Sequence, residues 1–382
     1  LQVTEELTIA PKTNKPSVDK QVLDETADAE TGHTNGWGET ADHAINETFQ
    51  FKLTAKLPAT TKFERYDTYK VVFTDTWSEG VTYEDIESVV VTNTGVSNWE
   101  FEVEEGTESD EYVLSVSNTT RKMTITIPDI TSIEDLDLTK EVVITVIYNA
   151  HLNEDAVVSN SETCEVDDGG DGTYDNNRNT VYLEYSNKPD ASGSTDTGNL
   201  GKTPDDTVYV FTYEMPNTKV DADDNPVEGA GFKLYESDGT TEIGLIKDTT
   251  LDAYRPIKSG ETKEEMFSAD DTGIFNIVGL DAGTYILKET TIPDGYNKCA
   301  DITVVISGTH VENQDKASAT DTFSMTMNGD ASTNNHIVNN VGATLPETGG
   351  IGTTIFYVLG GLLMAGAVIL LVTKKKMSVE QE

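Results

Sequence analysis

The chain has 382 residues, room for two or three domains, and 26 basic against 68 acidic side chains give it a formal net charge of −42. A surface this acidic repels a phosphate backbone, so the composition excludes nucleic acid as a partner and favours solubility. The five histidines are scattered without zinc-ligand spacing, and no nucleophile and base pair stands out. We therefore expect no metal, no cofactor and no substrate turnover.

The opening residues, 1–12, are interpreted as a remnant or linker. They contain neither the basic nor the apolar segment of an export signal. Because the C-terminus described below requires export, we expect a processed form or a fragment that lacks upstream sequence, and we favour the fragment.

Residues 13–188 alternate between apolar and polar side chains in many short runs, which is typical of half-buried strands. Clear runs cover residues 48–55, 70–73, 86–91, 122–127, 141–148 and 180–185, and turn clusters such as 167–172 separate them. Several short strands at this spacing predict a β-sandwich.

Residues 189–206 are rich in Gly, Ser, Thr and Asp and are predicted to form a linker. The strand pattern resumes over residues 207–341, with runs at 208–213, 231–235, 283–289 and 301–306. The predicted fold class is therefore all-β, with two immunoglobulin-like sandwiches in tandem.

Residues 342–353 lead into an apolar segment, 354–373, and a short tail, 374–382. No charge lies between Glu347 and Lys374, and a helix of this length spans a hydrocarbon core of about 30 Å. The lysines that follow favour a cytoplasmic tail. We therefore predict one C-terminal transmembrane helix.

A pentapeptide precedes this segment: Leu345, Pro346, Glu347, Thr348 and Gly349. Followed by a span and a lysine cluster, it resembles the LPXTG cell-wall sorting signal of Gram-positive surface proteins. The resemblance implies that a sortase cysteine attacks the Thr348 carbonyl, releases Gly349 onward and passes the acyl group to an amine. That amine belongs to a peptidoglycan precursor or to a lysine of another subunit. The protein is thus expected outside the cell, covalently attached to the wall or pilus after transient membrane insertion.

Two motifs of the second region resemble the collagen-adhesin B-type (Cna-B) domains of pilins. A K-x-D motif covers residues 219–221, and a Y-x-L-x-E-T-x-x-P-x-G-Y motif, the E-box of pilin subunits, covers 285–296. The resemblance implies an isopeptide bond between Lys219 and Asn339, promoted by the buried acid Glu289. Asn340 stays open as the alternative, because a one-residue register shift would exchange the inward side chain.

Burial is what allows the lysine of such a trio to react with the asparagine. An apolar interior disfavours charge, so the pKa of the lysine falls and the pKa of the carboxylic acid rises. The neutral amine then attacks the amide carbon while the protonated acid polarises the amide oxygen, and ammonia leaves. Holding the groups together supplies the effective molarity that a free amine and amide lack.

A parallel pattern in the first region resembles the isopeptide-forming middle domain of Gram-positive major pilins, a Cna-A-like sandwich. The resemblance implies a bond between Lys20 and Asn153, promoted by Asp75. Asn187, which also ends a strand, stays open as the alternative. The sequence Asp-Thr-Trp at Asp75 departs from the usual Asp-Thr-Leu.

Major pilins also carry a Y-P-K-type motif, whose lysine receives the threonyl acyl group of the next subunit. Ala10-Pro11-Lys12 lies at the corresponding place, with Ala where Tyr is typical. The resemblance therefore implies Lys12 as the acceptor lysine, and Lys15 stays open as its neighbour.

Together these resemblances imply a structural subunit of a sortase-assembled pilus that is used in adhesion. Its expected partners are pilus-type and housekeeping sortases, neighbouring pilin subunits, a peptidoglycan precursor and a host surface ligand. The alternative is a monomeric wall-anchored adhesin that binds a host or matrix ligand. The E-box and the position of Lys12 favour the pilus subunit. Autocatalytic bond formation is the only chemistry expected of the chain itself.

Overall fold

A computed structural model describes eleven segments of the chain: residues 15–24, 36–59, 61–93, 99–101, 112–159, 177–188, 200–312, 319–321, 323–342, 359–360 and 362–369. These segments are built mainly of strands, with single 3-10 turns at Phe63–Arg65 and Ile130–Ser132. The predicted all-β sandwich class is confirmed.

The first sandwich contains thirteen strands within the described residues. They are β1 (Ser17–Asp24), β2 (Gly36–Gly38), β3 (Thr40–Asp42), β4 (Thr48–Leu57), β5 (Val71–Trp77), β6 (Val81–Asn93), β7 (Trp99–Phe101), β8 (Val113–Ser117), β9 (Lys122–Ile127), β10 (Val142–Leu152), β11 (Asn177–Ser186), β12 (Leu200–Lys202) and β13 (Asp206–Phe211).

Two sheets enclose the core of this sandwich. One has the order β2-β1-β4-β10-β6-β7, and the other has the order β3-β13-β11-β5-β9-β8, with β12 also paired to β11. Along β10, every second side chain from Val142 to Leu152 is buried. Such alternation gives each strand one apolar face, and these faces together form one apolar side of each sheet. The two sheets bury their apolar sides by packing against each other.

The second sandwich contains fifteen strands within the described residues. They are β14 (Tyr213–Met215), β15 (Asn217–Asp221), β16 (Gly231–Glu236), β17 (Glu242–Ile243), β18 (Leu245–Asp248), β19 (Ala253–Pro256), β20 (Met266–Phe267), β21 (Ile277–Leu280), β22 (Gly283–Thr291), β23 (Ile302–Ser307), β24 (His310–Glu312), β25 (Ala319–Asp321), β26 (Ser324–Met327), β27 (Asp330–Ser332) and β28 (Asn335–Asn339).

The larger sheet of the second sandwich has the order β17-β16-β22-β23-β26-β27, with β20 also paired to β16. A smaller sheet has the order β14-β21-β19-β18, and β24 pairs with β25. The strands β15 and β28 form a parallel pair that brings the beginning and the end of this sandwich together.

The structure places the boundary between the sandwiches one strand later than the sequence pattern predicted. β12 and β13, expected in the linker and at the start of the second sandwich, both pair with β11 of the first. In β13, Val208 and Val210 pack in the first core, whereas Tyr209 and Phe211 pack in the second. A strand buried on both faces lacks the alternation that would indicate its sheet.

Specific contacts join the two sandwiches. The backbone N–H of Ile45 donates to the carbonyl of Gly279 at 2.9 Å, and the buried Ile45 side chain lies against that glycine. Glu154 of the first sandwich accepts a hydrogen bond from Lys258 of the second at 2.8 Å and lies 3.3 Å from Arg255. The junction therefore combines apolar packing with an ion-pair cluster.

Part of the C-terminal segment is described. Residues 359–360 and 362–369 are helical. Within the part of the chain that the structure describes, no helix is both long enough and apolar enough to cross a membrane. The predicted sorting pentapeptide 345–349 and Lys12 lie outside the described residues, whereas Lys15 is described and exposed.

Candidate isopeptide sites

Lys20 and Asp75 meet inside the first sandwich. Lys20 lies on β1, where alternation turns it inward with Val22, and its side chain is fully buried. Its Nζ lies 2.8 Å from Oδ2 of Asp75, which is fully buried on β5. Burying either charge alone would be costly, so the two groups depend on each other.

Tyr148 and Asn179 complete this buried cluster. The Tyr148 hydroxyl donates to Oδ2 of Asp75 at 2.6 Å and accepts from Nζ of Lys20 at 3.0 Å. It also accepts a 2.5 Å hydrogen bond from Nδ2 of Asn179. Asn179 has no exposed surface. One hydroxyl thus contacts an amine, a carboxyl group and an amide.

Strand register explains how the four side chains meet. Lys20 and Val146 both pair with Leu53 of β4, so Tyr148 lies two residues beyond the level of Lys20. In the opposite sheet, Asp75 pairs with Val181 of β11. Asn179, two residues before Val181, is therefore diagonal to Asp75 on the same face. The cluster spans the core, with two groups from each sheet.

Burial sets the protonation of this cluster. Loss of hydration lowers the pKa of Lys20 below its usual value, although the nearby Asp75 opposes the shift. Loss of hydration likewise raises the pKa of Asp75, against the influence of Lys20 and Tyr148. Both shifts favour a neutral amine beside a neutral acid. Oδ1 of Asp75 and Oδ1 of Asn179 are buried and have no hydrogen-bond partner among the described residues.

The structure does not bring Asn153 to this cluster, which corrects the expectation from the sequence. Asn153 follows β10, seven residues beyond Val146 and so about 23 Å from the level of Lys20. Its Nδ2 donates instead to the carbonyl of Glu79 at 2.8 Å, which stabilises a turn. The alternative residue, Asn187, is exposed beyond the end of β11.

Asn179 is the residue that the sequence analysis missed. The predicted strand began at Thr180, yet β11 begins at Asn177. Extending the alternation of Val181, Leu183 and Tyr185 backwards by two residues would have placed Asn179 on the inward face. The same parity argument would have excluded Asn153, because the buried set of β10 has even numbers.

The second sandwich holds a similar cluster of Lys219, Glu289 and Asn339. All three are buried, with exposed fractions of 0%, 1% and 0%. Nδ2 of Asn339 donates to Oε1 of Glu289 at 2.6 Å. The other carboxyl oxygen of Glu289 accepts from the backbone N–H of Cys299 at 2.7 Å.

The parallel pair β15 and β28 brings the Lys219 amine against the strand that carries Asn339. Lys219 pairs with Ile337, and its Nζ donates to the carbonyl of Ile337 at 2.8 Å and to that of Val220 at 3.0 Å. Burial lowers the pKa of Lys219, although Glu289 opposes the shift. The Lys219 amine, which contacts a backbone carbonyl of β28, is therefore closer to neutrality than the amine of an exposed lysine.

Register also distinguishes the two asparagines left open by the sequence. Asn339 lies two residues beyond Ile337 and shares its inward face, whereas Asn340 is exposed. Oδ1 of Asn339 is buried and has no hydrogen-bond partner among the described residues. An acceptor in that state costs about 1–3 kcal/mol.

Comparisons with known proteins identify each part of the chain. A family model described as Gram-positive pilin backbone subunit 2, Cna-B-like domain, matches residues 45–189. A model of the SpaA prealbumin-like fold domain matches residues 214–320, and the LPXTG cell wall anchor motif matches 337–378. The first description is Cna-B-like, where the sequence resemblance indicated a Cna-A-like domain. No curated protein sequence matches the chain.

Solved structures share the fold. The 35 kDa C-terminal fragment of a major pilin of Streptococcus agalactiae is 21% identical, with a TM-score of 0.53, and the match covers 85% of this chain and 100% of that one. The pilus 2b backbone protein of group B streptococcus is 19% identical, with a TM-score of 0.50 and coverages of 86% and 99%. The three family models match successive parts of the chain, in the order pilin backbone domain, SpaA domain and LPXTG anchor, and they identify a cell-wall-attached surface protein with the parts of a Gram-positive pilin backbone subunit.

Proposed function

We propose that this chain is the polymerising subunit of a pilus shaft whose two sandwiches are each locked by an internal isopeptide bond. The bonds join Lys20 to Asn179 and Lys219 to Asn339. The observation that carries the proposal is that two buried clusters each combine a lysine, an acid and an asparagine. Unreacted lysines inside apolar cores would be costly to retain, whereas an amide is neutral.

The reaction is the same in both sandwiches. Nζ of the lysine attacks the asparagine Cγ, the Cγ–Nδ2 bond breaks, and ammonia leaves with the proton that the amine gives up. Asp75 and Glu289 are the acids that promote the two reactions. Each site reacts once, so the chain acts on itself and is a substrate, not a turnover catalyst, in the assembly of the fibre.

Polymerisation requires a second kind of amide. A sortase takes Thr348 as the acyl donor, and we propose Lys12 of the next subunit as the acceptor, with Lys15 as its alternative. Lys15 is exposed just before β1, where an enzyme could reach it. A pilus-type sortase would join subunits, and a housekeeping sortase would transfer the fibre to a peptidoglycan precursor. A host surface ligand would be bound by the assembled fibre.

Intact-mass spectrometry tests the internal bonds. The chain is expected to weigh less than its sequence by the mass of two ammonia molecules, and digestion should yield branched peptides that contain Lys20 with Asn179 and Lys219 with Asn339. A full-length mass with no deficit would exclude both bonds.

Wall extracts test polymerisation separately. High-mass ladders should disappear in Thr348→Ala and in Lys12→Ala, while Lys15→Ala should retain them. Ladders that are lost only in Lys15→Ala would identify Lys15, and not Lys12, as the acceptor lysine. A single wall-bound band in the unsubstituted protein would favour a monomeric adhesin instead.

A further inference from the structure

We propose that Tyr148 is a catalytic residue of the Lys20–Asn179 reaction and that its hydroxyl passes a proton to the departing ammonia. The inference rests on the proposed function, because it concerns one of the two bonds proposed there. It starts from a contact: Tyr148 touches the amide nitrogen of Asn179, the atom that must leave.

The hydroxyl has the connections that a proton relay needs. It joins Oδ2 of Asp75, at 2.6 Å, to Nδ2 of Asn179, at 2.5 Å. The same carboxyl oxygen lies 2.8 Å from Nζ of Lys20, the atom that loses a proton on attack. A continuous path therefore runs from the attacking nitrogen through the acid and the hydroxyl to the leaving nitrogen.

The protons balance along this path. As Nζ bonds to Cγ of Asn179, Asp75 gives its Oδ1 proton to the amide oxygen, and Nζ passes a proton to Oδ2 of Asp75. Tyr148 then gives its hydroxyl proton to Nδ2 and takes the proton from Oδ2. The Cγ–Nδ2 bond breaks, the carbonyl re-forms by returning its proton to Oδ1, and ammonia leaves. Tyr148 and Asp75 end as they began.

The second sandwich shows why the first needs a relay. There the acid contacts the leaving nitrogen directly, since Nδ2 of Asn339 lies 2.6 Å from Oε1 of Glu289. Aspartate is shorter than glutamate by one methylene group, and in the first site the Tyr148 hydroxyl lies between Asp75 and Asn179. Burial raises the pKa of Tyr148 well above its usual value, so the hydroxyl keeps its proton until the transfer.

The test uses the full chain in an Asn339→Ala background, where any loss of ammonia reports on the first sandwich alone. The chain is synthesised in a cell-free system with detergent, quenched in acid at intervals and weighed. Tyr148→Phe keeps the ring that packs 5.3 Å from Phe51 and removes only the hydroxyl. Tyr69→Phe is the matched control, because Tyr69 is also buried in this sandwich.

We expect Tyr148→Phe to lose ammonia at least about tenfold more slowly than the parent, since general acid–base groups contribute about 10²–10⁴-fold. Tyr69→Phe should react at the parental rate. A parental rate in Tyr148→Phe would overturn the relay. A parent that never loses ammonia would instead overturn the proposed bond itself.

A second substitution tests the relay in case Tyr148→Phe does not fold. Incorporation of 3-fluorotyrosine at position 148 retains the hydroxyl and the ring but makes the hydroxyl more acidic. Because the rate of a proton relay follows the acidity of its donor, the rate should change by about twofold or more. An unchanged rate in a normally folded fluorinated chain would also overturn the relay.

Discussion

Asn339 lies diagonal to Lys219 on the parallel strands β15 and β28, two residues beyond Ile337, the register partner of that lysine. Side chains two apart on a strand share a face, so the amine and the amide both point into the core. Asn340, one residue further, points to solvent. The choice between the two asparagines is therefore made by strand parity.

Substitution of these neighbours should have opposite results. Against the mass expected from its own sequence, Asn339→Ala should be lighter by one ammonia, whereas the parent protein and Asn340→Ala should each be lighter by two. In the chain-entropy model, a cross-link that closes a loop of about 100 residues stabilises a protein by about 5 kcal/mol. Asn339→Ala should thus unfold at a clearly lower denaturant concentration, measured together with intact mass. Retention of the full mass deficit in Asn339→Ala would contradict the assignment.

The first sandwich offers a matched pair of its own. Asn179→Ala should abolish the loss of ammonia from this sandwich and lower its free energy of unfolding by about 5 kcal/mol. Asn153→Ala should keep that loss, because the Asn153 amide donates to a turn carbonyl and to the Thr82 hydroxyl and accepts from the backbone N–H of Asp155, away from the buried cluster. Its cost should be about 1–2 kcal/mol for the lost hydrogen bonds. Peptide mapping checks both, and a bond to Asn153 would refute the register argument.

The rate of the Lys20–Asn179 reaction should be nearly constant with pH around neutrality. Burial lowers the pKa of Lys20 and raises that of Asp75, so the neutral pair needs no net proton uptake or release in this range. The rate should fall in acid, as Lys20 gains a proton, and in alkali, as Asp75 loses one. Timed mass spectrometry in the Asn339→Ala background measures this profile. An exposed lysine would instead react about tenfold faster per pH unit, and that slope would contradict the mechanism.

The junction between the sandwiches should tolerate no side chain at Gly279. This residue has a φ of +77°, and an added Cβ would lie 2.4 Å from Cδ1 of the buried Ile45. Gly260 has a φ of +91° but open space around it, so it is the control. Gly260→Ala should cost about 1–2 kcal/mol for the backbone alone. Gly279→Ala should cost about 1–3 kcal/mol more for overpacking. Urea titrations measure both variants, and equal costs would show that Ile45 can move to accommodate the added methyl group.

The sequence was sufficient to select the site residues that belong to recognisable motifs. Lys219 and Glu289 were selected from the K-x-D motif and the E-box, and the structure places both in one buried cluster with Asn339. Lys20 and Asp75 were selected from a weaker pattern, and their side chains are in contact. Whether these groups are covalently joined stays a prediction.

Two features depend on contacts between strands that are distant in the sequence. Asn179 was missed because its role depends on the pairing of β11 with β5, which the local sequence does not show. The alternation of buried residues along β11 does place its side chain on the inward face. β13 was assigned to the wrong sandwich because its apolar residues, 208–211, fit either core. Tyr148 was not selected from the sequence, because the role of its hydroxyl depends on three partners that lie on other strands.

The double burial of β13 has a mechanical consequence. In a fibre joined through the N-terminal lysine and Thr348, tension would cross from Lys20 to Asn179 and from Lys219 to Asn339 through the proposed bonds. Each bond would shield the strands that it encloses, so the load would fall on the two ends of the subunit and on the stretch from Asn179 to Lys219 that joins the bonds. β13 lies in that stretch, and its alternate side chains are anchored in two cores. Pulling β13 out of place would therefore disturb the cores of both sandwiches, so this shared strand would resist separation of the two sandwiches under tension.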